Sequence, residues 1–191
     1  LLHDFLKRGY ERLPGAGFAP GESTVEQLLM FFRAEYKSFS RERHLAKTDR
    51  HTEERWLFGG EATPGALEWF LREEKARGPT TPIGFEERIS GQLKPALLGK
   101  PSLRVEGRLD RLDLQGDGIR RVVEYKSGRF PKDKKERRKK KPLQARLYAR
   151  ILEAADGTPT NFAIPYFGTR DWIGPNDEPA DAEQDAQVAS I

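Results

Sequence analysis

Three carboxylates and a lysine stand close together near the middle of the sequence, in two short polar and apolar segments. Asp110 and Asp113 end the run Gly-Arg-Leu-Asp-Arg-Leu-Asp, and Glu124 and Lys126 lie in Val-Val-Glu-Tyr-Lys-Ser-Gly. Side chains two residues apart in a strand point to the same face, so Glu124 and Lys126 are predicted to share a face. Carboxylates beside a cation can hold a hard divalent metal and stabilise developing phosphate charge.

A simpler interpretation fits the same residues. Charged side chains are common on the solvated face of a β-ribbon, where they form surface salt bridges of little energetic weight. The two segments alone leave both interpretations open, and the rest of the chain has to distinguish them.

Composition excludes several classes of protein. The 191 residues include no cysteine, which excludes disulfide frameworks, thiolate zinc sites and cysteine-ligated iron–sulfur clusters and favours a reducing, cytoplasmic setting. No apolar run is long enough to cross a bilayer, so we expect no membrane association. The first residues, Leu-Leu-His, lack an initiator methionine and a signal-peptide pattern, and we expect the chain to be a segment of a longer protein.

Positive charge is concentrated in one segment. Residues 129–141 contain nine lysines or arginines and two acidic residues, a net charge of +7, whereas the whole chain carries +4. A localised basic patch indicates contact with a polyanion. By itself the segment also fits a solvated, disordered loop, and we expect it to be mobile when free and ordered on a phosphate backbone.

Helical periodicity dominates the first eighty residues. Apolar residues recur at helical spacing from Leu1 to Leu13, a capping pattern at Ser23 opens a second helix, and Thr63-Pro64 is predicted to begin another. His3 lies in the first of these helices. Taken alone, a single histidine near a helix start is best interpreted as a residue at the surface or at the edge of the core.

The period changes to that of strands after Pro82. Four strands are predicted here, at 83–90, 103–110, 120–126 and 161–167. A turn at 115–118 precedes the third strand, and a helix from Pro142 to about Ala155 precedes the fourth. The fold class predicted is α/β, a mixed sheet flanked by helices after a helical N-terminal third. Residues 1–175 are predicted to form one domain, helical in 1–80 and sheet-based in 81–175, with 176–191 as an acidic tail or linker.

The order of these motifs resembles the RecB-type nuclease family, a branch of the PD-(D/E)XK superfamily with a restriction-endonuclease-like fold. The resemblance rests on three motifs in a fixed order: Gly107-Arg-Leu-Asp-Arg-Leu-Asp, Val122-Val-Glu-Tyr-Lys-Ser-Gly and Gln144-Ala-Arg-Leu-Tyr. It covers most of the chain from Leu1 to Phe167. The glutamate of the second motif is an aspartate in many RecB-type members, and the missing cysteines exclude the subgroup with an iron–sulfur cluster.

The resemblance implies a role for each matching residue. Asp110, Glu124 and Lys126 match the catalytic positions, and His3 matches an N-terminal histidine that binds metal with Asp110 and Glu124. Glu86 or Glu87 matches a further acidic position whose register the sequence does not fix, and Asp113 becomes a structural or supporting acid. The residues expected to contact DNA are Gln144, Tyr148, Lys134, Lys135, Arg137, Arg138, Lys139 and Lys140.

The function implied is a Mg²⁺- or Mn²⁺-dependent deoxyribonuclease that hydrolyses phosphodiester bonds. We expect exonuclease-like action on single-stranded ends, with duplex ends as another substrate, and a helicase in the same or another chain as partner in DNA repair or recombination. The alternative is a nuclease-fold scaffold that binds DNA without cutting it. An intact set of acids favours the enzyme.

Overall fold

The computed structural model describes residues 1–60, 62–93, 103–130 and 143–174. Helices make up most of the first eighty residues, as the sequence predicts. They are α1 (Leu2–Arg12), a short 3-10 helix (Pro14–Ala16), α2 (Val25–Glu42), α3 (Lys47–Phe58) and α4 (Ala66–Ala76).

Apolar side chains at helical spacing explain why α1 packs against α2. Phe5 of α1 meets Tyr36 of α2 edge to face, with ring centroids 5.4 Å apart. Gly9 allows the two helices to approach closely, because a Cβ atom at this position would lie 2.7 Å from Cδ1 of Phe32. The position of α1 is therefore fixed by an aromatic core.

The starts of α2 and α4 differ from the sequence prediction. Thr24 caps α2 in a reciprocal capping box with Gln27, one residue later than the predicted cap at Ser23. Thr63-Pro64 does not begin a helix. These residues form a short strand, β2 (Thr63–Pro64), that pairs with β1 (Gly59–Gly60), and α4 begins after Gly65. Two adjacent glycines make this tight pairing possible, since Gly59 has a φ of 74°.

The remaining strands lie after residue 79. They are β3 (Thr80–Phe85), β4 (Arg88–Leu93), β5 (Leu103–Arg108), β6 (Arg111–Gln115), β7 (Arg120–Val123), β8 (Thr160–Tyr166) and β9 (Asp171–Ile173). Five strands form one sheet in the order β3-β6-β7-β8-β9, and β4 and β5 form a separate two-stranded sheet among the described residues. Because β6 and β7 are antiparallel and β7 and β8 are parallel, the larger sheet is mixed.

The predicted turn between β6 and β7 is confirmed. Gly118 has a φ of 82°, and the Gln115 amide donates to the carbonyl of Ile119 at 2.9 Å. The parallel connection from β7 to β8 contains the helix α5 (Leu143–Asp156), which packs on β4 and β7. Gly157 follows α5 with a φ of 76°, as expected for a glycine after a helix. Two segments lie outside the described residues: 131–142, which contains most of the basic patch and Pro142, and 175–191, which contains the predicted tail.

The chain divides into two compact units. The first contains Leu1–Pro82, Tyr125–Phe130 and Pro165–Asp171, and the described residues of the second fall within Ile83–Glu124, Pro131–Ile164 and Trp172–Ile191. Aromatic rings build the core of the first unit, whereas Val122, Val123 and Ala163 are buried in the second. No helix among the described residues has the length and apolar character needed to cross a membrane. The predicted α/β class, with a helical N-terminal region and a mixed sheet, is confirmed.

Candidate active site

Two acidic residues meet at the open end of the β4–β5 hairpin. The hairpin pairs Arg88 with Arg108, and beyond this pair the Glu86 amide donates to the carbonyl of Asp110 at 3.2 Å. The Leu109 amide donates in turn to the carbonyl of Glu87 at 3.1 Å. These bonds bring carboxylate oxygens of Glu86 and Asp110 within 4.8 Å of each other.

The structure distinguishes Glu86 from Glu87, which the sequence does not. The chain predicted to be a single strand from 83 to 90 is broken at Glu86, whose φ is 53°. Glu86 is mostly buried and accepts an ion-pair contact from Nε of Arg108 at 2.8 Å. Glu87 is exposed, and its carboxylate lies over Gly84, where a Cβ atom would meet Oε2 of Glu87 at 3.0 Å.

Strand register places Asp110 and Glu124 at the same end of neighbouring strands. Arg111 of β6 pairs with Val123 of β7, and Asp110 and Glu124 are the next residues outward on the two strands. Glu124 is 2% exposed, and its amide donates to the carbonyl of Ala163 at 3.0 Å. A carboxylate this deeply buried is usually paired with a cation or bound to a metal.

Asp113 has a different environment, although it belongs to the same sequence motif. Its carboxylate accepts a 2.7 Å bond from Arg111, and the two side chains are 0% and 1% exposed. Breaking such a buried pair by removing one partner is strongly destabilising. We therefore assign Asp113 to the stability of β6.

The segment after Glu124 is held by aromatic packing and by a histidine. Tyr125 is buried and packs against Phe70, with ring centroids 5.8 Å apart. The carbonyl oxygen of Tyr125 lies 3.0 Å from Nε2 of His3. Since a carbonyl can only accept, Nε2 of His3 carries the hydrogen of this contact, and in the neutral ring this leaves the lone pair on Nδ1.

Lys126 continues the pairing with β8 beyond the end of β7. Its amide donates to the carbonyl of Pro165 at 3.0 Å, and its own carbonyl accepts from the Phe167 amide at 2.8 Å. Burial raises the pKa of the Tyr166 phenol, which keeps this neighbouring side chain neutral at physiological pH. The backbone of Lys126 is thus fixed on the sheet, with its side chain partly exposed.

Helix α5 carries the third motif. Nε2 of Gln144 donates to the Tyr148 hydroxyl at 3.1 Å, so the two residues share a helix face as their spacing predicts. Gln144 is exposed and Tyr148 is 7% exposed. The six predicted basic DNA contacts, between Lys134 and Lys140, lie outside the described residues.

The chemistry of these side chains suits a hard divalent cation. Glu86, Asp110 and Glu124 offer carboxylate oxygens, which Mg²⁺ and Mn²⁺ prefer, and Glu86 and Asp110 are close enough to share one ion. His3 offers an imidazole whose Nε2–H donates to a backbone carbonyl, the arrangement that orients metal-bound histidines in many proteins. Sequence reasoning missed the contact of Arg108 with Glu86, for which the sequence contains no signal.

A sequence profile of the PD-(D/E)XK nuclease superfamily matches residues 1–189. The chain therefore belongs to the PD-(D/E)XK nuclease superfamily, whose members are typically metal-dependent nucleases that hydrolyse phosphodiester bonds. Among solved structures, the chain is similar to the crystal structure of SSO0001, with 16% identity and a TM-score of 0.32, over 97% of this chain and 81% of that one. Among curated proteins, no relative matches the chain.

Proposed function

We propose that this chain is the nuclease domain, residues 1–175, of a RecB-type deoxyribonuclease that depends on Mg²⁺ or Mn²⁺. The observation that carries the proposal is the pair of carboxylates, Glu86 and Asp110, within 4.8 Å of each other, with buried Glu124 in register beside Asp110. Superfamily membership supports phosphodiester hydrolysis. The three motifs named above support the RecB-type branch.

The proposed metal ligands are Asp110, Glu124 and His3, with Glu86 as an additional acid. A divalent cation held by such ligands supplies positive charge to the reacting phosphate and lowers the pKa of a water molecule. The ring of His3 is suited to this role because its bond to Tyr125 leaves the lone pair on Nδ1. Lys126 is proposed to stabilise the charge that develops on the phosphate, a contribution of about 3 kcal/mol for a single donor.

The proposed substrate is DNA, cut in an exonuclease-like manner from single-stranded ends. The basic segment 129–141 would neutralise phosphates, and Gln144 would contact the strand near the acids. The resemblance further supports a helicase as partner, in the same chain or another, and a role in repair or recombination.

The carboxylate pair provides the sharpest test, because a matched control stands next to it. Glu86→Gln should lower cleavage of end-labelled single-stranded DNA in Mn²⁺ by about 100-fold or more, as loss of a group at the reacting centre does. Glu87→Gln removes the same charge one residue away and should cleave normally. Products resolved on a denaturing gel, with and without Mn²⁺ and with labelled duplex as a second substrate, measure both.

Two results would change the proposal. Equal loss in both variants would show that the site needs only local negative charge, and full activity of Glu86→Gln would remove Glu86 from the site. DNA binding by the native protein without cleavage under any metal would favour the non-cleaving scaffold instead. Asp110→Asn should also abolish cleavage. Cleavage that disappears in this variant therefore belongs to this chain and not to a contaminating nuclease.

The basic segment is tested by salt. Deleting residues 134–141 should flatten the fall of DNA affinity with salt, because fewer counterions are released when fewer phosphates are neutralised. Fluorescence anisotropy at several salt concentrations gives the slope. An unchanged slope would contradict a role for this segment in binding.

A further inference from the structure

A strand glycine of the first motif lies directly beneath the tyrosine of the third. Gly107 belongs to β5, and a Cβ atom at this position would lie 2.5 Å from Cζ of Tyr148. Real Cβ atoms essentially never approach a neighbour so closely, so any side chain at 107 would displace the ring. Tyr148 is seated on the bare backbone of Gly107.

A second glycine of the same hairpin packs against a neighbouring residue on the same face of α5. A Cβ atom at Gly91 of β4 would lie 2.7 Å from Cγ2 of Ile151. Tyr148 and Ile151 are three residues apart, so they lie side by side along α5. The helix is therefore fitted onto the hairpin at two glycine positions, one of which is also tied to the third motif.

The tyrosine has little surface of its own to offer a ligand. It is 7% exposed, and its hydroxyl accepts the bond from Nε2 of Gln144. Gln144, one turn earlier, is exposed, and its Nε2 is the donor of this bond. The bond fixes the orientation of the amide, so the oxygen of Gln144 presents an acceptor in a defined direction.

The contact of Tyr148 with Gly107 lies close to the acids, both in sequence and in strand pairing. Gly107 pairs with Ile89 in the hairpin and precedes Asp110 by three residues. The same hairpin ends at the Glu86 and Asp110 backbone bond. Tyr148 therefore packs one residue pair before the Arg88–Arg108 pair, at the end of the hairpin where Glu86 and Asp110 lie.

We propose that Tyr148 is a positioning residue, seated on Gly107, whose hydroxyl orients the carboxamide of Gln144 for contact with the nucleic-acid strand. Gln144 makes the contact and Tyr148 acts through it. The inference rests on the proposed function, since it assumes that the domain binds DNA. It assigns different work to two residues that the sequence pattern treats as equivalent.

A double-mutant cycle on DNA binding tests the proposal. Fluorescein-labelled single-stranded DNA is titrated with native protein, Gln144→Ala, Tyr148→Phe and the double variant, without divalent metal, and anisotropy is read. Tyr148→Phe keeps the ring on Gly107 and removes only the acceptor. It should weaken binding about threefold to tenfold, the range for one hydrogen bond. The double variant should bind no more weakly than Gln144→Ala.

Either of two results would overturn the proposal: native binding by Tyr148→Phe, or effects of the two single changes that multiply in the double variant. If the native protein itself does not bind DNA, the proposed function fails at the first titration, before any comparison of variants. The two failures are therefore distinguishable.

The two glycines supply a matched control for the seat. Gly107→Ala and Gly91→Ala should both lower the melting temperature, because each forces α5 away from the hairpin. Only Gly107→Ala should also weaken DNA binding, to at least the level of Tyr148→Phe. Equal weakening by both would mean that any shift of α5 impairs binding and would contradict a specific role for Tyr148. The melting temperatures report on the seat even where binding is absent.

Discussion

Helices α1 and α5 each carry a residue of the proposed site, but they are held in place in different ways. Phe5 and Gly9 fix α1 within an aromatic core, and His3 reaches the backbone of Tyr125. By contrast, α5 lies on a hairpin through two glycine positions, and its exposed Gln144 is oriented by another side chain. On α1, which is packed in a core, the site residue His3 is expected to act by its own chemistry. On α5, the action of Gln144 is expected to depend on how Tyr148 packs against Gly107.

Removal of core side chains should expose this difference most strongly. Phe5 is 1% exposed, and Phe5→Ala should lower the free energy of unfolding by about 3–5 kcal/mol. Ile151 is 4% exposed, and Ile151→Ala should cost less, towards the lower end of the range of about 2–5 kcal/mol for buried isoleucines. Urea denaturation followed by circular dichroism measures both. Met30→Ala, which changes a residue that is 75% exposed, serves as a control with no expected effect. Equal costs for Phe5 and Ile151 would remove the contrast between the helices.

Substitution of His3 tests whether α1 contributes chemistry or only a contact. His3→Ala should lower cleavage by about 100-fold or more, since even residues that merely support a ligand cost 10–100-fold. His3→Gln retains an N–H donor for the Tyr125 carbonyl but no imidazole, and should be equally inactive. Titration calorimetry with Mn²⁺ in the absence of DNA should show weaker metal binding in both variants. Normal activity of His3→Gln would reduce His3 to a hydrogen-bond donor.

The glycine seat of α5 predicts a rescue. Gly91→Ala should destabilise the protein by about 1–3 kcal/mol through overpacking against Ile151. In the Ile151→Ala background the added methyl has room, and the same change should cost almost nothing. Thermal unfolding of the native protein, Gly91→Ala, Ile151→Ala and the double variant gives the coupling free energy between the two changes. Additive costs would indicate that Gly91 is needed for its backbone conformation and not for the approach of α5.

The smallest effect concerns pH and the surface between α1 and α2. A side-chain hydrogen bond from Arg8 lowers the pKa of Glu42 from 4.5 to about 2, and Nη2 of Arg8 donates to Oε1 of Glu42 at 2.7 Å. Because the pKa is lower in the folded state, this contribution to stability is complete above pH 4.5 and disappears as pH falls towards 2. Arg8→Gln should reduce the loss of melting temperature between pH 6 and pH 3.

The comparison with α5 gives a control for the pH effect. The pKa of Asp156, at the end of α5, is lowered first by the backbone amide of Thr158, with Arg120 contributing less. Arg120→Gln should therefore change the acid sensitivity less than Arg8→Gln. A larger change in the Arg120 variant would contradict this assignment of causes.

Local signals in the sequence were sufficient for much of the fold. The spacing of apolar residues predicts α1, α2 and α5, and the glycines at 116 and 118 with Asp117 predict the turn between β6 and β7. The start of α4 was predicted wrongly at Thr63-Pro64, because proline at a first helical position and proline in a short strand share the same local preference for φ. The pairing of Thr63-Pro64 with Gly59 and Gly60 decides in favour of the strand. The sequence contains no separate signal for this pairing.

The site shows where sequence reasoning ends. Motif spacing predicts catalytic roles for Asp110, Glu124 and Lys126. Alternation does not choose between Glu86 and Glu87, because the break at Glu86 shifts the register. A strand glycine such as Gly107 signals close approach of something. The partner, Tyr148, lies forty-one residues later and is defined only by tertiary packing.

The positive φ of Glu86 has a consequence for protein engineering. A residue with a side chain is strained in this backbone conformation, at a cost on the order of 1 kcal/mol, and glycine would relieve it. A redesign guided by stability alone would choose Glu86→Gly and would obtain a protein that tolerates more heat while lacking one of its paired carboxylates. At this position thermal robustness and the proposed activity make opposite demands on one side chain.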